Sequence, residues 1–261
     1  MNFLISFFGF AFLIIACATA PVSNRSQFNF IPESQMNAMG VEAYQEILQK
    51  DKISTDQNLQ GLVTRIGNRI AIASGEKYDW KFIVIDDPKT VNAFCLPGGK
   101  VAVYSGILPI AKNEAGLAAI MGHEVAHATA HHGGERMSQG LIVQAGLTAA
   151  DFAMGDSKSK GLLLAAVGAG AKFGVLLPFS RTHESEADRI GLHYMARAGY
   201  DPIEAAELWR RMAKAGGSQP PEFMSTHPSN DSRIYHLTEQ ADEVHGEYEK
   251  SDKQDSYRSI Q

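Results

Sequence analysis

Cysteine is nearly absent. Two residues, Cys17 and Cys95, are all that the 261-residue chain carries, which rules out a disulfide framework as the source of its stability. Basic excess is missing as well. Lys and Arg number 24 against 29 Asp and Glu, a formal net charge of −5, and no basic stripe is interleaved with aromatics. Nucleic acid is therefore excluded as a partner. No internal repeat is visible. Apolar runs that could span a bilayer are also wanting. Phe3 to Ala16 is almost unbroken but falls short of the roughly 20 residues a spanning helix needs. "GLLLAAVGAGAKFGVLL" (161–177) is interrupted by Lys172 and by glycines. What remains is ordinary globular composition, 44% hydrophobic and 20% charged, enough for one large domain or two small ones.

The short apolar run has the length of a secretory h-region. It closes on Ile14-Ile15-Ala16-Cys17, which is similar to a bacterial lipobox. The expectation is a signal peptide over 1–17, with Cys17 lipidated as the mature N-terminus. No Lys or Arg precedes the run, so an uncleaved N-terminal anchor is the other reading. Either one attaches the protein to a membrane from outside. Residues 18–35, polar with Pro, Ser, Asn and Gln, read as a tether. Cys95 lies in "NAFCLPGG", the setting of a small buried thiol, and receives no chemistry.

The folded domain is expected over 36–248 and a disordered tail over 249–261. Apolar positions from Ala43 to Ile70 recur at helical spacing and predict two helices before Gly75. "WKFIVIDD" (80–87) reads as a strand. "NAFCLPGGKVAVYSGIL" (92–108) reads as two strands around a Pro97-Gly98-Gly99 turn. Asn113 is the expected N-cap of a helix running to about His132. Helices and loops packed over the active-site domain are expected across 138–177. A further helix spans about Arg181 to Ala198 with Gly199 at its C-cap, and Pro202 opens another to about Ala215. The fold class is α+β and mainly helical, with a small sheet beside the histidine-bearing helix.

That helix carries the chemistry. His123-Glu124-Val125-Ala126-His127 matches H-E-x-x-H. Positions i and i+4 share a helix face, so both imidazoles reach one ion. Glu124, one residue on, flanks the site without coordinating, as a general base for a water activated by Zn²⁺. A catalytic zinc needs a third protein ligand. The metzincin pattern would place Gly at 130 and His at 133, where Ala130 and Gly133 stand. His131 cannot converge on the same ion from a third turn of one straight helix. "RTHESEADRIGL" (181–192) offers Glu184, Glu186 and Asp188. Glu184 and Asp188 share a face, so Glu184 can ligate while Asp188 accepts an imidazole N–H. The competing reading is a solvated acidic face paired with Arg181 and Arg189. His131, His132, His183 and His193 read as packing or helix-end residues.

H-E-x-x-H followed by E-x-E-A-D resembles the gluzincin metallopeptidases that include HtpX, the CAAX prenyl-protein proteases and the periplasmic proteases BepA and LoiP. "LPFSRTHESEADRIGL", "AGYDP" and "THPSNDSRI" extend the likeness over about residues 40 to 240. The few apolar runs set this chain apart from the multispanning members. The resemblance implies one zinc ion held by His123, His127 and Glu184, with Glu124 as base and Asp188 behind His123. It also implies a role for His227, as a regulatory fourth ligand or as a donor to the oxyanion, with Arg233 assisting. The strand near residues 92–103 is expected to pair with extended polypeptide substrates. The activity implied is endoproteolysis of misfolded or misassembled envelope proteins. The implied place is the periplasmic side of a bacterial membrane, with Ala18 after the cysteine pointing to the outer one. An envelope chaperone that keeps its zinc but cleaves little is the alternative.

Overall fold

The computed structural model describes residues 17–154, 177–215, 222–227 and 231–260. The expected signal segment before Cys17 lies outside these residues, as does most of the apolar stretch expected to pack over the site. Among the described residues no helix is long and apolar enough to cross a membrane.

Two short strands, β1 (Cys17–Thr19) and β2 (Ser26–Phe28), pair antiparallel. Helices α1 (Glu33–Lys50) and α2 (Gln57–Ser74) follow. Asp56 caps α2 by accepting from the backbone N–H of Asn58 and Leu59, and Gly75 ends it in the left-handed region. Strands β3 (Lys81–Ile85), β4 (Ala93–Leu96) and β5 (Lys100–Tyr104) form one sheet in the order β3-β5-β4. β5 is parallel to β3 and antiparallel to β4. Gly98 and Gly99 turn the β4–β5 hairpin at φ 77° and 84°, values that favour glycine. A 3-10 turn (Ser105–Ile107) and the short α3 (Leu108–Ala111) lead to α4 (Glu114–Thr129).

α4 is mostly apolar apart from Glu114 and the His123, Glu124 and His127 positions, and it is buried along nearly its whole length, as befits a helix inside the core. α5 (His132–Met154), α6 (Leu177–Arg197), α7 (Ile203–Ala215), α8 (Glu222–Thr226) and α9 (Asp231–Glu249) complete the chain. α2, α6 and α7 pack around α4. Where α4 and α6 cross, Gly122 faces Gly191. A Cβ on Gly191 would lie 3.0 Å from the carbonyl carbon of Gly122 and 3.0 Å from His123 N. The two glycines let the backbones approach beside the first motif histidine.

Three expectations need correction. The helix expected to reach His132 stops at Thr129. His131 takes φ 52° and α5 starts afresh at His132. The tether over 18–35 is instead held against the domain. Arg25 bonds Glu135 and Glu186, and Phe30 N–H donates to Ser138 Oγ at 3.2 Å. The tail over 249–261 is ordered to Ile260, because it supplies acceptors that α4 lacks. Glu114 N–H donates to Arg258 O at 3.1 Å and Ala115 N–H to Ser256 O at 2.9 Å. Composition hid both segments: their side chains are polar, and their binding runs largely through backbone groups and buried carboxylates.

Candidate metal centre

Asn113 opens α4 by accepting from Gly116 N–H at 2.7 Å, and the helix carries His123, Glu124 and His127 into the core. The close α4–α6 crossing sets Glu184 against them. His123 Nε2 and His127 Nε2 lie 3.1 Å apart. Each is 3.3 Å from one oxygen of Glu184. His227, just past α8, joins the same cluster, with Nδ1 2.9 Å from Glu184 Oε2 and 3.1 Å from His123 Nε2. One atom from each of His123, His127, Glu184 and His227 falls within 4.8 Å of the others. Such a set of three imidazole nitrogens and a carboxylate could hold a divalent metal ion, and its donor types suit one.

The charges around it are backed from behind. His123 Nδ1 is 2.9 Å from Asp188 Oδ1. Arg233 grips Asp188 with two bonds of 2.6 and 2.7 Å and stacks its guanidinium 3.7 Å from the centre of the Trp209 ring. Burial works against a charged His123, but Asp188 and Glu184 outweigh it and lift the ring to about 9. Burial likewise opposes ionisation of Glu184, yet His123, His127 and His227 hold its carboxyl far below the usual range. Burial pushes the Glu124 carboxyl up, with His227 and His123 pulling the other way. Glu124 Oε1 is buried without a hydrogen-bond partner among the described residues. An orphaned carboxylate oxygen is costly, and this one sits 3.4 Å from His227 Nε2, at the cluster.

Beside these groups opens a cavity of about 280 Å³, lined among others by His127, His131, Glu184, His227, Phe94 and Tyr78. β4 forms one margin of it, through Ala93, Phe94 and Cys95, and β4 is an edge strand of its sheet. Burial drives the Cys95 thiol far up.

The structure brings together every residue singled out from the sequence: His123, Glu124, His127, Glu184, Asp188, His227 and Arg233. Sequence reasoning missed His132. Its ring reaches His127 Nδ1 at 2.9 Å and Glu186 at 2.9 Å, and burial holds it down at about 4. The signal lay in the short interval between His127 and His132, unreadable while one helix was assumed to run through both. His183 and His193 pair with Glu135 at 3.0 Å and Glu247 at 2.6 Å.

A mainly helical chain whose H-E-x-x-H helix faces an acid-bearing helix over an edge strand defines a metalloendopeptidase. Known families agree: residues 54–241 match the description "Peptidase family M48", and the chain belongs to that family. It is 40% identical over 240 residues to the mitochondrial metalloendopeptidase OMA1 of Schizosaccharomyces pombe, covering 89% of this chain and 68% of that protein. The OMA1 of Saccharomyces cerevisiae is 34% identical over 260 residues, covering 89% and 71%. The β-barrel assembly-enhancing protease of Escherichia coli is 27% identical over 234 residues, covering 87% of this chain. The matched region is 48% of that bacterial protein. Relatives named for mitochondria thus stand beside a bacterial one.

Proposed function

We propose that the chain is a zinc-dependent endopeptidase acting on misfolded or misassembled proteins at a membrane surface of the cell envelope. The observation that carries this reading is the buried ligand cluster beside a Glu124 oxygen that has no hydrogen bond among the described residues. His123 and His127 would hold zinc through Nε2 and Glu184 through its carboxylate. A zinc ion bound there supplies Lewis-acid polarisation of a carbonyl and lowers the pKa of water. Glu124 is the base that removes the water proton at Oε1 and returns it to the leaving amine. Its raised pKa favours that return. Asp188, held by Arg233, keeps the proton of His123 on Nδ1 and so leaves Nε2 free. His227 completes a four-membered set, and a catalytic site needs one open position. Proteolysis therefore requires His227 to leave the cluster, which gives it a regulatory role. The edge of β4 would receive an extended substrate by strand pairing and set its scissile bond without reading much sequence.

The envelope substrate and the lipid anchor at Cys17 draw support from the bacterial relative's name and the apolar run before that cysteine. The test uses the protein, its Glu124→Gln variant and its Glu184→Ala variant, with casein as substrate. Glu124→Gln should keep its zinc and lose roughly 10²–10⁴-fold in rate, whereas Glu184→Ala should lose stoichiometric zinc. Equal slow degradation by the wild type and Glu124→Gln would overturn the proposal.

A further inference from the structure

The two motif histidines are backed in different ways. Behind His123 stands a carboxylate, Asp188, and behind that Arg233. Behind His127 stands another imidazole. His132 Nδ1 lies 2.9 Å from His127 Nδ1, and His132 Nε2 lies 2.9 Å from Glu186 Oε2. Glu186 in turn receives Arg25 Nε at 3.0 Å and Nη2 at 2.8 Å, together with the Ser23 hydroxyl. His132 and Glu186 are shielded, at 1% and 6% exposure, and Arg25 is half-buried over them.

Donor and acceptor arithmetic orders the chain. An ionised carboxylate only accepts, so His132 donates from Nε2, and the neutral ring then has its lone pair on Nδ1. That lone pair can be satisfied only by a proton on His127 Nδ1. His127 Nε2 is then bare, and it is the nitrogen that faces His123, Glu184 and His227. The ring of His132 is fixed as well. It stacks on His183 at a centroid distance of 4.4 Å and an angle of 16°. His183 is tied to Glu135 at 3.0 Å, and Arg25 grips Glu135 at 2.7 and 2.9 Å.

We propose that His132 and Glu186, anchored by Arg25, are positioning residues that lock His127 in its metal-binding tautomer and orientation. The inference rests on the reading of the cluster as a zinc site. It gives the N-terminal segment a purpose: Arg25 connects the chain just before β2 to the ligand His127 through Glu186 and His132. Outer partners of ligating histidines typically carry a roughly 10–100-fold share of metal affinity.

Two substitutions at one position separate positioning from packing. His132→Phe keeps the ring volume and the stack on His183 but removes both hydrogen bonds. His132→Asn gives up volume but can keep an acceptor near the Nδ1 position. The full-length proteins, stripped of metal, are titrated with zinc against a chromogenic chelator, and metal-free melting temperatures are recorded alongside. The expected result is roughly 10–100-fold weaker zinc binding in His132→Phe, partial recovery in His132→Asn, and the reverse order in melting temperature. The ligand-field band of the cobalt-loaded protein should move in His132→Phe and less in His132→Asn. Zinc affinity unchanged in His132→Phe, or following the melting order, would overturn the proposal while leaving the zinc site standing. A wild type that takes up no zinc would overturn both.

Discussion

Tyr200 shows what burial does to one ionisable side chain here. Its ring is fully buried after α6, with the hydroxyl 3.5 Å from Arg65 Nη1. Burial raises its pKa to about 12 despite the pull of Arg65. An unfolded tyrosine titrates near 10. Between about 10 and 12 the unfolded chain has lost a proton that the folded chain retains, so stability is full below pH 10 and declines as pH rises toward 12. Melting curves across that window should show the decline, and Tyr200→Phe should make it shallower, the rest coming from Tyr78, Tyr194 and Tyr257, which are raised as well. An equal slope in both proteins would remove Tyr200 as the cause. At the metal cluster the same burial is opposed by paired charges, and there the outcome turns on partners. His123, with Asp188 and Glu184, is lifted, whereas His127, whose outer partner is a neutral-leaning imidazole, is driven well below its usual value.

Among the elements, the α4–α6 crossing decides whether the ligands meet. Glu184 lies on a different helix from the histidines, and the helices touch through Gly122 and Gly191. Gly191→Ala places a methyl 3.0 Å from backbone atoms of Gly122 and His123, atoms that yield only if the helices separate. Overpacking of this kind costs about 1–3 kcal/mol, and the separation also pulls Glu184 away from His123. Chemical denaturation together with zinc titration should show both losses. Full zinc affinity in a destabilised Gly191→Ala protein would mean that the crossing supports the fold but not the ligand geometry. The break between α4 and α5 is the second decisive feature. In a continuous helix a residue five positions on points about 140° away, so His132 would face away from His127. The left-handed turn at His131 brings it back.

For the whole molecule, the two ends of the described chain close the structure around α4. The N-terminal segment binds α5 and α6 through Arg25 and Gln27, and the C-terminal segment caps α4. The first free N–H groups of that helix are all accounted for: Glu114 by Arg258 O, Ala115 by Ser256 O, and Gly116 by Asn113 Oδ1. Removing residues 250–261 strands two of them in the interior. At roughly 1 kcal/mol each, the loss should be about 2 kcal/mol, a fall of about 4–8 °C in Tm for a chain of this size. Differential scanning calorimetry of the truncated protein checks it, and an unchanged Tm would show that the tail only rests on the surface.

Much was legible in residue order alone. Periodicity and punctuation marked α1, α2, the β4–β5 hairpin, the Asn113 cap and the Gly199 stop, since these depend on neighbours within a few residues. His123, Glu124 and His127 were readable for the same reason, because a helix fixes their mutual placement. Glu184 and Asp188 stood out as acids on one helix face. Tertiary structure alone decided the rest. That β4 lies at a sheet edge, that two polar segments are bound and not loose, and that His132 turns back onto His127 all depend on contacts between distant parts of the chain. The 3.6-residue period carries no information about where one helix crosses another or where a single left-handed residue redirects it.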